Sequence, residues 1–236
     1  MNFKLIYILP NLFTAASIFL GIISIIASIN QHFDKALIYI ILSLICDGLD
    51  GRVARATNST SKFGIEFDSL ADLIAFGVAP AILFYMSIGY EYGKFGSLIA
   101  GLFVVFGAIR LARFNVTTGT YEPSVFIGLP IPTAAVVSAL WVSAYLYYDI
   151  FKDYSLLILG IQILLAFLMV SNIRYPSFKK IDLKRANVLK VLIALVVLFS
   201  MFYLYFLEST LILASSYVLY GLLRSVYTLT KTFKKD

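Results

Sequence analysis

Four aspartates stand close together in a part of the chain that is otherwise strongly apolar. Asp47 and Asp50 are three residues apart and Asp68 and Asp72 are four apart, so on helices each pair would share one face. Carboxylates inside an apolar segment are costly and normally face a bundle interior or a wet cavity. Hard divalent cations take oxygen ligands, and a pyrophosphate would supply further oxygens. The spacing therefore predicts a site that holds a divalent metal against a phosphate-bearing substrate.

Two other interpretations compete with a metal site. In the first, the aspartates form interface salt bridges with nearby basic residues, namely Arg52, Arg55 and Lys62. Interface salt bridges do not require four acids at matched helical spacing with Gly51 and Gly64 beside them, so this interpretation explains the pattern less well. In the second, the acids belong to a cation or proton transporter, which would place acids toward the midplane of several helices. Here the acids are confined to two neighbouring segments and one end of the bundle.

The elements that must position these acids are membrane helices. Of the 236 residues, 61% are hydrophobic and only 14% are charged, whereas soluble domains have about 45–50% apolar and about 25% charged residues. A spanning helix needs roughly 20 mostly apolar residues. On that measure the chain has eight candidate segments: 12–30, 34–54, 63–86, 95–115, 129–148, 154–173, 187–207 and 209–229. The predicted fold is an all-α integral membrane bundle of about eight transmembrane helices, forming one domain over residues 1–236, with a short interfacial helix at Asn2 to Leu9.

The basic residues predict the orientation of this bundle. The net charge is +6, but the basic residues follow the predicted topology and do not form a nucleic-acid patch. Of the 19 Lys and Arg residues, only Lys35, Lys94 and Lys152 fall in the loops of one side. Because cytoplasmic loops carry the excess of Lys and Arg, both termini and the aspartates are expected on the cytoplasmic side of the cell membrane. Cys46 and His32 are the only residues of their types, which excludes an intrachain disulfide and a cysteine or histidine metal cluster.

The stretch around the aspartates resembles the signature of the CDP-alcohol phosphatidyltransferases, D-x-x-D-G-x-x-A-R-x8-G-x3-D-x3-D. The fixed positions are Asp47, Asp50, Gly51, Ala54, Arg55, Gly64, Asp68 and Asp72. The resemblance implies transfer of a phosphatidyl-type group from a CDP-linked lipid to an alcohol, with release of CMP. It implies that Asp47, Asp50 and Asp68 bind Mg²⁺ or Mn²⁺, with Ca²⁺ as a non-productive occupant. Asp72 would be the catalytic base and would also touch the metal. The residues expected to line the CDP-lipid site are Asn11, Thr14, Gly51, Ala54, Arg55 and Gly64.

Further stretches are similar to the phosphatidylserine synthase branch of that family, including its archaetidylserine-forming members. They are PNLFT, FDSLADLIAFGVAPA, RLARFN and FIGLPIP. The resemblance implies CDP-diacylglycerol or CDP-archaeol as donor, L-serine as acceptor, and a homodimer among membrane lipids. A guanidinium is a preferred partner of a carboxylate such as that of serine. The expected contacts to serine or phosphate are therefore Arg110, Arg113 and Asn115. Both arginines could instead be positive-inside anchors, and sister enzymes would use glycerol 3-phosphate or inositol phosphate. No role is predicted for the extra pair of C-terminal helices at 187–229.

Overall fold

The computed structural model describes residues 8–117, 125–176 and 188–233, and nearly all of them are helical. The long helices before the first strand are α1 (Ile8–Ile29), α2 (Phe33–Ala56), α3 (Lys62–Asp72), α4 (Ala79–Ser87) and α5 (Gly93–Thr117). A π-helical segment, Leu73–Val78, joins α3 to α4, and a 3₁₀ turn, Gly89–Tyr92, precedes α5. The remaining elements are β1 (Val125–Ile127), α6 (Ile131–Tyr147), α7 (Asp149–Lys152), α8 (Ser155–Val170), β2 (Arg174–Pro176), α9 (Val188–Leu204) and α10 (Phe206–Phe233).

The predicted all-α membrane fold is confirmed. Each of the eight predicted segments falls on helix in the described residues. Four stretches are long and apolar enough to cross a membrane: Ile8–Ile29, Lys62–Ser87, Gly89–Thr117 and Phe206–Ser225. α6 and α8 are apolar but shorter, and α2 carries Asp47 and Asp50 within its 24 residues. The exact number of crossings stays a prediction, and most of the predicted interfacial helix lies outside the described residues.

Large apolar side chains face outward on most of the helices, as expected where lipid replaces water. Phe19 of α1, Phe167 of α8 and Phe199 of α9 are each more than half exposed. The buried interior is centred on α4 and α6, where Phe84 and Leu140 are fully buried. Apolar groups on both surfaces of the helices are typical of segments that pack in hydrocarbon.

Small and hydroxyl residues hold α1 against its neighbours. The Ser17 and Ser43 hydroxyls are 2.7 Å apart, and Ser24 donates to the Ala36 carbonyl at 2.9 Å, so α1 and α2 are joined along their length. On another side of α1, a Cβ at Gly21 would lie only 2.9 Å from the Cα of Ala75. Small residues allow helix backbones to approach this closely, and buried hydroxyls bond across the interface in the absence of water.

The π-helical segment begins directly after Asp72 and ends just before Pro80. The Ala79 amide donates to the Ile74 carbonyl, five residues earlier. Pro80 has no amide hydrogen and cannot continue the regular ladder through this turn. Single π turns inside helices are often found at functional sites. Pro130 and Pro132 stand at the start of α6, where a missing amide hydrogen leaves no helical bond unmade.

A short antiparallel strand pair was not predicted. β1 and β2 pair with Phe126 opposite Tyr175, and Gly128 follows β1 with a φ of 77°. The predicted segments 129–148 and 154–173 were therefore too long at this end: α6 starts at residue 131 and α8 ends at residue 170. The apolar side chains continue beyond these limits, but the backbone there bonds to the strand pair and to Arg113, so helix does not form.

Candidate active site

The aspartates of α2 and α3 converge at one end of the bundle. Oxygens of Asp47, Asp50 and Asp68 all lie within 4.8 Å of one another. The two helices are joined by a short polar turn, in which the Ser61 hydroxyl caps α3 by accepting from the Gly64 amide at 3.0 Å. Such a cap fixes the first turn of the helix. The three carboxylates are thereby held at the mutual distances that a single cation could bridge.

A threonine of α1 orients one of these carboxylates. The buried Thr14 hydroxyl donates to Asp50 Oδ2 at 2.8 Å. The sequence predicted that Thr14 would approach the nucleotide. The structure places it beside the predicted site and gives it a contact with a metal-ligand candidate. Partners of this kind fix the orientation of a ligating carboxylate.

Asp72 lies deeper than the other three aspartates. Its side chain is 9% exposed, and its Oδ1 has no hydrogen-bond partner among the described residues. The carboxyl group faces those of Asp47 and Asp68 and the guanidinium of Arg110. It is not one of the three residues whose oxygens form the tight cluster. The buried oxygen is free to accept a proton or a hydrogen bond from a bound molecule.

The salt-bridge interpretation finds no support. In the described part of the chain, no Lys or Arg nitrogen lies within 4.0 Å of any of the four carboxylates, and the ion pair seen there is Lys152 with Asp149. Clustered carboxylates without a counter-charge repel one another. Oxygen donors at this spacing, together with the unpartnered Asp72 oxygen, fit a hard divalent cation. The cluster can hold a divalent metal.

A cleft of about 190 Å³ opens beside the carboxylates. All six residues predicted for CDP-lipid binding line it: Asn11, Thr14, Gly51, Ala54, Arg55 and Gly64. A Cβ at Gly51 would lie 3.4 Å from the Arg55 guanidinium, and one at Gly64 would lie 3.6 Å from Asn11 Oδ1. The signature glycines therefore leave space between the polar groups of the cleft.

The cleft also has a polar wall that sequence reasoning missed. Ser59, Thr60 and Ser61, in the turn between α2 and α3, line it together with the signature residues. They belong to the polar run TNSTS, residues 57–61, which is not among the predicted site residues. Three consecutive hydroxyl residues next to a phosphate signature were the available signal, since hydroxyls and turn amides are common partners of phosphate oxygens.

The three residues predicted to contact serine have different surroundings. Arg110 is buried, lies over the Phe114 ring with 5.3 Å to the ring centroid, and faces Asp72 and Asp47. Arg113 donates to the carbonyls of Ile127, Met169, Val170 and Ser171 at 2.9–3.1 Å. Asn115 exchanges hydrogen bonds with Ser69 and donates to Glu66 Oε2 at 3.2 Å. Arg110 is thus the guanidinium beside the carboxylates, whereas Arg113 ties α5 to the end of α8 and to β1.

Comparison with known proteins decides the family. A family model described as CDP-alcohol phosphatidyltransferase matches residues 7–170. This chain belongs to that family. The match includes the whole signature, the cleft and Arg110, and it ends before β2, α9 and α10. Because members of this family are transferases, the transporter interpretation loses its support.

Relatives carry more specific names. A Helicobacter pylori (strain J99) protein named CDP-diacylglycerol–serine O-phosphatidyltransferase is 48% identical over 96% of this chain and 94% of its own length. A Methanothermobacter thermautotrophicus protein named archaetidylserine synthase is 39% identical over 71% of this chain and 69% of its own. A Bacillus subtilis protein with the serine transferase name is 34% identical over 73% of this chain and 92% of its own. The family is generally dependent on a divalent metal, and the acidic cluster agrees with that.

Proposed function

We propose that this enzyme transfers a phosphatidyl group, or its ether-lipid counterpart, from a CDP-linked lipid to the hydroxyl of L-serine and releases CMP. The observation that carries the proposal is the carboxylate cluster, which forms no salt bridge within the described residues and lies beside a cleft lined by all six predicted nucleotide residues. Serine as acceptor rests on the names of the relatives. The buried Arg110 beside Asp72 agrees with an acceptor that carries a carboxylate.

The metal would be held by Asp47, Asp50 and Asp68. Asp72 belongs to the same group of carboxylates and could contribute a further ligand. Mg²⁺ and Mn²⁺ fit the all-oxygen donor set, and Ca²⁺ would be a non-productive occupant. When bound, the ion would neutralise charge on the pyrophosphate of the donor lipid. Thr14 holds Asp50 in place for this purpose. Arg55 and the hydroxyls of residues 59–61 supply polar contacts to the nucleotide end.

Arg110 would bind the carboxylate of serine, and Asn115, five residues later on α5 and bonded to Ser69 and Glu66, is a further candidate contact. Arg113 is the weaker candidate because four backbone carbonyls already surround its guanidinium. Binding at Arg110 brings the acceptor next to the unpartnered oxygen of Asp72. This places a base within reach of the serine hydroxyl, as proton abstraction requires.

The transfer can then be written with one bond formed and one broken. Asp72 accepts the serine hydroxyl proton, and the serine oxygen forms a bond to the lipid-bearing phosphorus. The bond from that phosphorus to the bridging oxygen breaks, and CMP leaves with that oxygen and its electron pair. A two-step route through a covalent intermediate would give the same products.

Membrane placement follows from the charge distribution. The signature end of the bundle is expected at the cytoplasmic leaflet of the cell membrane, with both termini on that side, because it carries most of the basic residues. CDP-diacylglycerol or CDP-archaeol would enter sideways from that leaflet. The lysine- and arginine-rich stretch 174–190, most of which lies outside the described residues, would meet anionic headgroups. A homodimer is expected from the resemblance to the family.

The deciding experiment is an acceptor panel. Purified protein in detergent is given CDP-diacylglycerol and Mg²⁺ or Mn²⁺, and CMP release is measured with L-serine, glycerol 3-phosphate or inositol phosphate. We expect release with serine and loss of release when EDTA removes the metal. Release only with one of the phosphorylated alcohols would move the assignment to a sister enzyme. Ion flux in vesicles without CDP-lipid would reopen the transporter interpretation.

A further inference from the structure

The turn between α2 and α3 is fixed by its own backbone hydrogen bonds. The Ser59 amide donates to the Ala54 carbonyl at 2.9 Å, and this bond closes the last turn of α2. Inside it, the Asn58 amide donates to the Arg55 carbonyl at 3.3 Å, and Asn58 has a left-handed backbone with a φ of 51°. These features form a Schellman cap, which satisfies the last carbonyls of a helix. The cap therefore sets the position of Ser59 beside the end of α2.

The Ser59 side chain belongs to a short chain of hydroxyl groups whose direction is determined. The Thr57 and Ser59 hydroxyl oxygens are 2.6 Å apart, and the Thr57 hydroxyl also donates to the Val53 carbonyl at 2.8 Å. A hydroxyl has one proton, and a carbonyl can only accept. Because the Thr57 proton goes to Val53, the bond between the two hydroxyls is donated by Ser59. The Ser59 oxygen can then only accept a hydrogen bond from any further group.

This acceptor stands at the proposed nucleotide cleft. Ser59 is buried and lines the cleft together with the signature residues. Within the described part of the chain, no group donates to its hydroxyl oxygen. The oxygens of a pyrophosphate diester carry no proton at neutral pH, so they offer Ser59 nothing to accept. A ligand group that donates a hydrogen bond fits this position.

The place of Ser59 along the cleft indicates which part of a nucleotide it meets. The cleft extends from Asp50, in the carboxylate cluster, to the turn that holds Ser59. Asp50 is seven residues before Thr57, and seven residues of helix extend about 10 Å, which is about the length of a nucleoside. A nucleotide whose pyrophosphate lies at the cluster would thus bring its base to the turn. Cytosine has an amino donor on its pairing edge where uracil has a carbonyl acceptor.

We propose that Ser59 selects cytosine over uracil by accepting a hydrogen bond from the cytosine amino group. Thr57 enforces this choice because it takes the Ser59 proton. Uracil would set its carbonyl oxygen against the Ser59 oxygen and leave two acceptors unpaired, which a cleft that excludes water penalises. The inference rests on the proposed function, since it takes a CDP-linked lipid as the donor.

The test is equilibrium binding of CDP and of UDP to the purified full-length chain in detergent with Mn²⁺. Ser59→Ala should weaken CDP binding about two- to tenfold, the range expected for one hydrogen bond, and should not weaken UDP binding. Ser97→Ala is the matched control, because Ser97 is exposed on α5 and its hydroxyl bonds the Gly93 carbonyl. It should leave both affinities unchanged. An unchanged affinity for CDP in Ser59→Ala, or an equal loss for both nucleotides, would overturn the proposal.

A second variant tests the direction of the hydroxyl chain. Thr57→Val keeps Ser59 and the shape of the side chain at position 57 but removes the oxygen that takes the Ser59 proton. Ser59 would then be free to donate to uracil, so UDP binding should tighten about two- to tenfold. Damage to the fold would not give such a gain, and its absence would overturn the role of Thr57.

The same measurements separate this proposal from the proposed function. If the unsubstituted protein with Mn²⁺ binds neither nucleotide, the CDP-linked donor is wrong and the inference falls with it. If the unsubstituted protein releases CMP from CDP-diacylglycerol but binds CDP and UDP equally, the proposed function stands and the selection by Ser59 is wrong.

Discussion

The two ends of the bundle differ in how their acidic side chains are arranged. At the signature end, oxygens of three aspartates lie within 4.8 Å of one another, and no Lys or Arg nitrogen of the described residues lies within 4.0 Å of them. At the other end, the described residues form no such cluster; there Asp149 pairs with Lys152 at 2.5 Å, and Glu208 accepts a hydrogen bond from Tyr148. The signature aspartates are thus crowded together without a salt bridge, which keeps oxygens available to a cation and a substrate.

This difference has an energetic consequence. Clustered carboxylates repel one another, and their partial burial adds a desolvation cost. The protein without metal is therefore expected to be strained at the signature end but not at the other end. Each substitution below removes a group from one of the two ends. The difference between the ends predicts whether the substitution changes activity, stability or both.

The largest effect is expected for Asp72→Asn, which keeps the shape of the side chain and removes the base. Turnover should fall by about 10²- to 10⁴-fold, the usual contribution of a general base. CDP binding should remain, because the residues that line the cleft are untouched. The melting temperature of the metal-free protein should stay the same or rise, since one of the repelling carboxylates is lost.

CMP release and equilibrium binding of a CDP analogue would measure these two outcomes on the same preparation. Asp149→Asn provides the matched substitution at the other end. Near-full activity of Asp72→Asn would remove Asp72 from the role of base. Loss of CDP binding together with turnover would show that Asp72 acts through the architecture of the site.

A smaller effect is expected for Thr14→Val, which replaces the hydroxyl that orients Asp50 with a methyl group. Loss of such a supporting hydrogen bond typically costs about 10- to 100-fold in metal affinity. The concentration of Mn²⁺ that gives half-maximal CMP release should rise accordingly, with turnover largely restored at saturating metal. Thr210→Val is the control, because Thr210 lies in α10 near the other end and, among the described residues, its hydroxyl bonds only the Phe206 carbonyl. An unchanged Mn²⁺ dependence would show that Asp50 needs no support from α1.

The signature end could be predicted far better than the contacts that surround it. Helical spacing placed the four aspartates on two neighbouring helices, and all six nucleotide residues line a single cleft. The first result depends on local periodicity and a short connection, and the second depends on the resemblance to the family. The π segment, the strand pair and the carbonyl contacts of Arg113 depend on residues far apart in sequence, such as Arg113 and Met169. Hydropathy cannot predict these contacts. An apolar turn has the hydropathy of a helix whether or not its carbonyls accept hydrogen bonds from distant parts of the chain.

The smallest effect is expected for Asp149→Asn, at the end that holds the Asp149–Lys152 pair. The hydrogen bond and charge of Lys152 hold the pKa of Asp149 below its usual value. A lowered folded-state pKa means that the pair contributes stability above the unfolded pKa of about 3.9 and loses it as the pH falls through the folded value. Both side chains are exposed to solvent, so the contribution is small and screened by salt. CMP release should change by less than about twofold, in line with the weak coupling of exposed pairs. Any difference in melting temperature at pH 7 should shrink as the pH is lowered below about 4. A large loss of activity in this variant would show that the paired end also serves the reaction, and the contrast between the two ends would then be wrong.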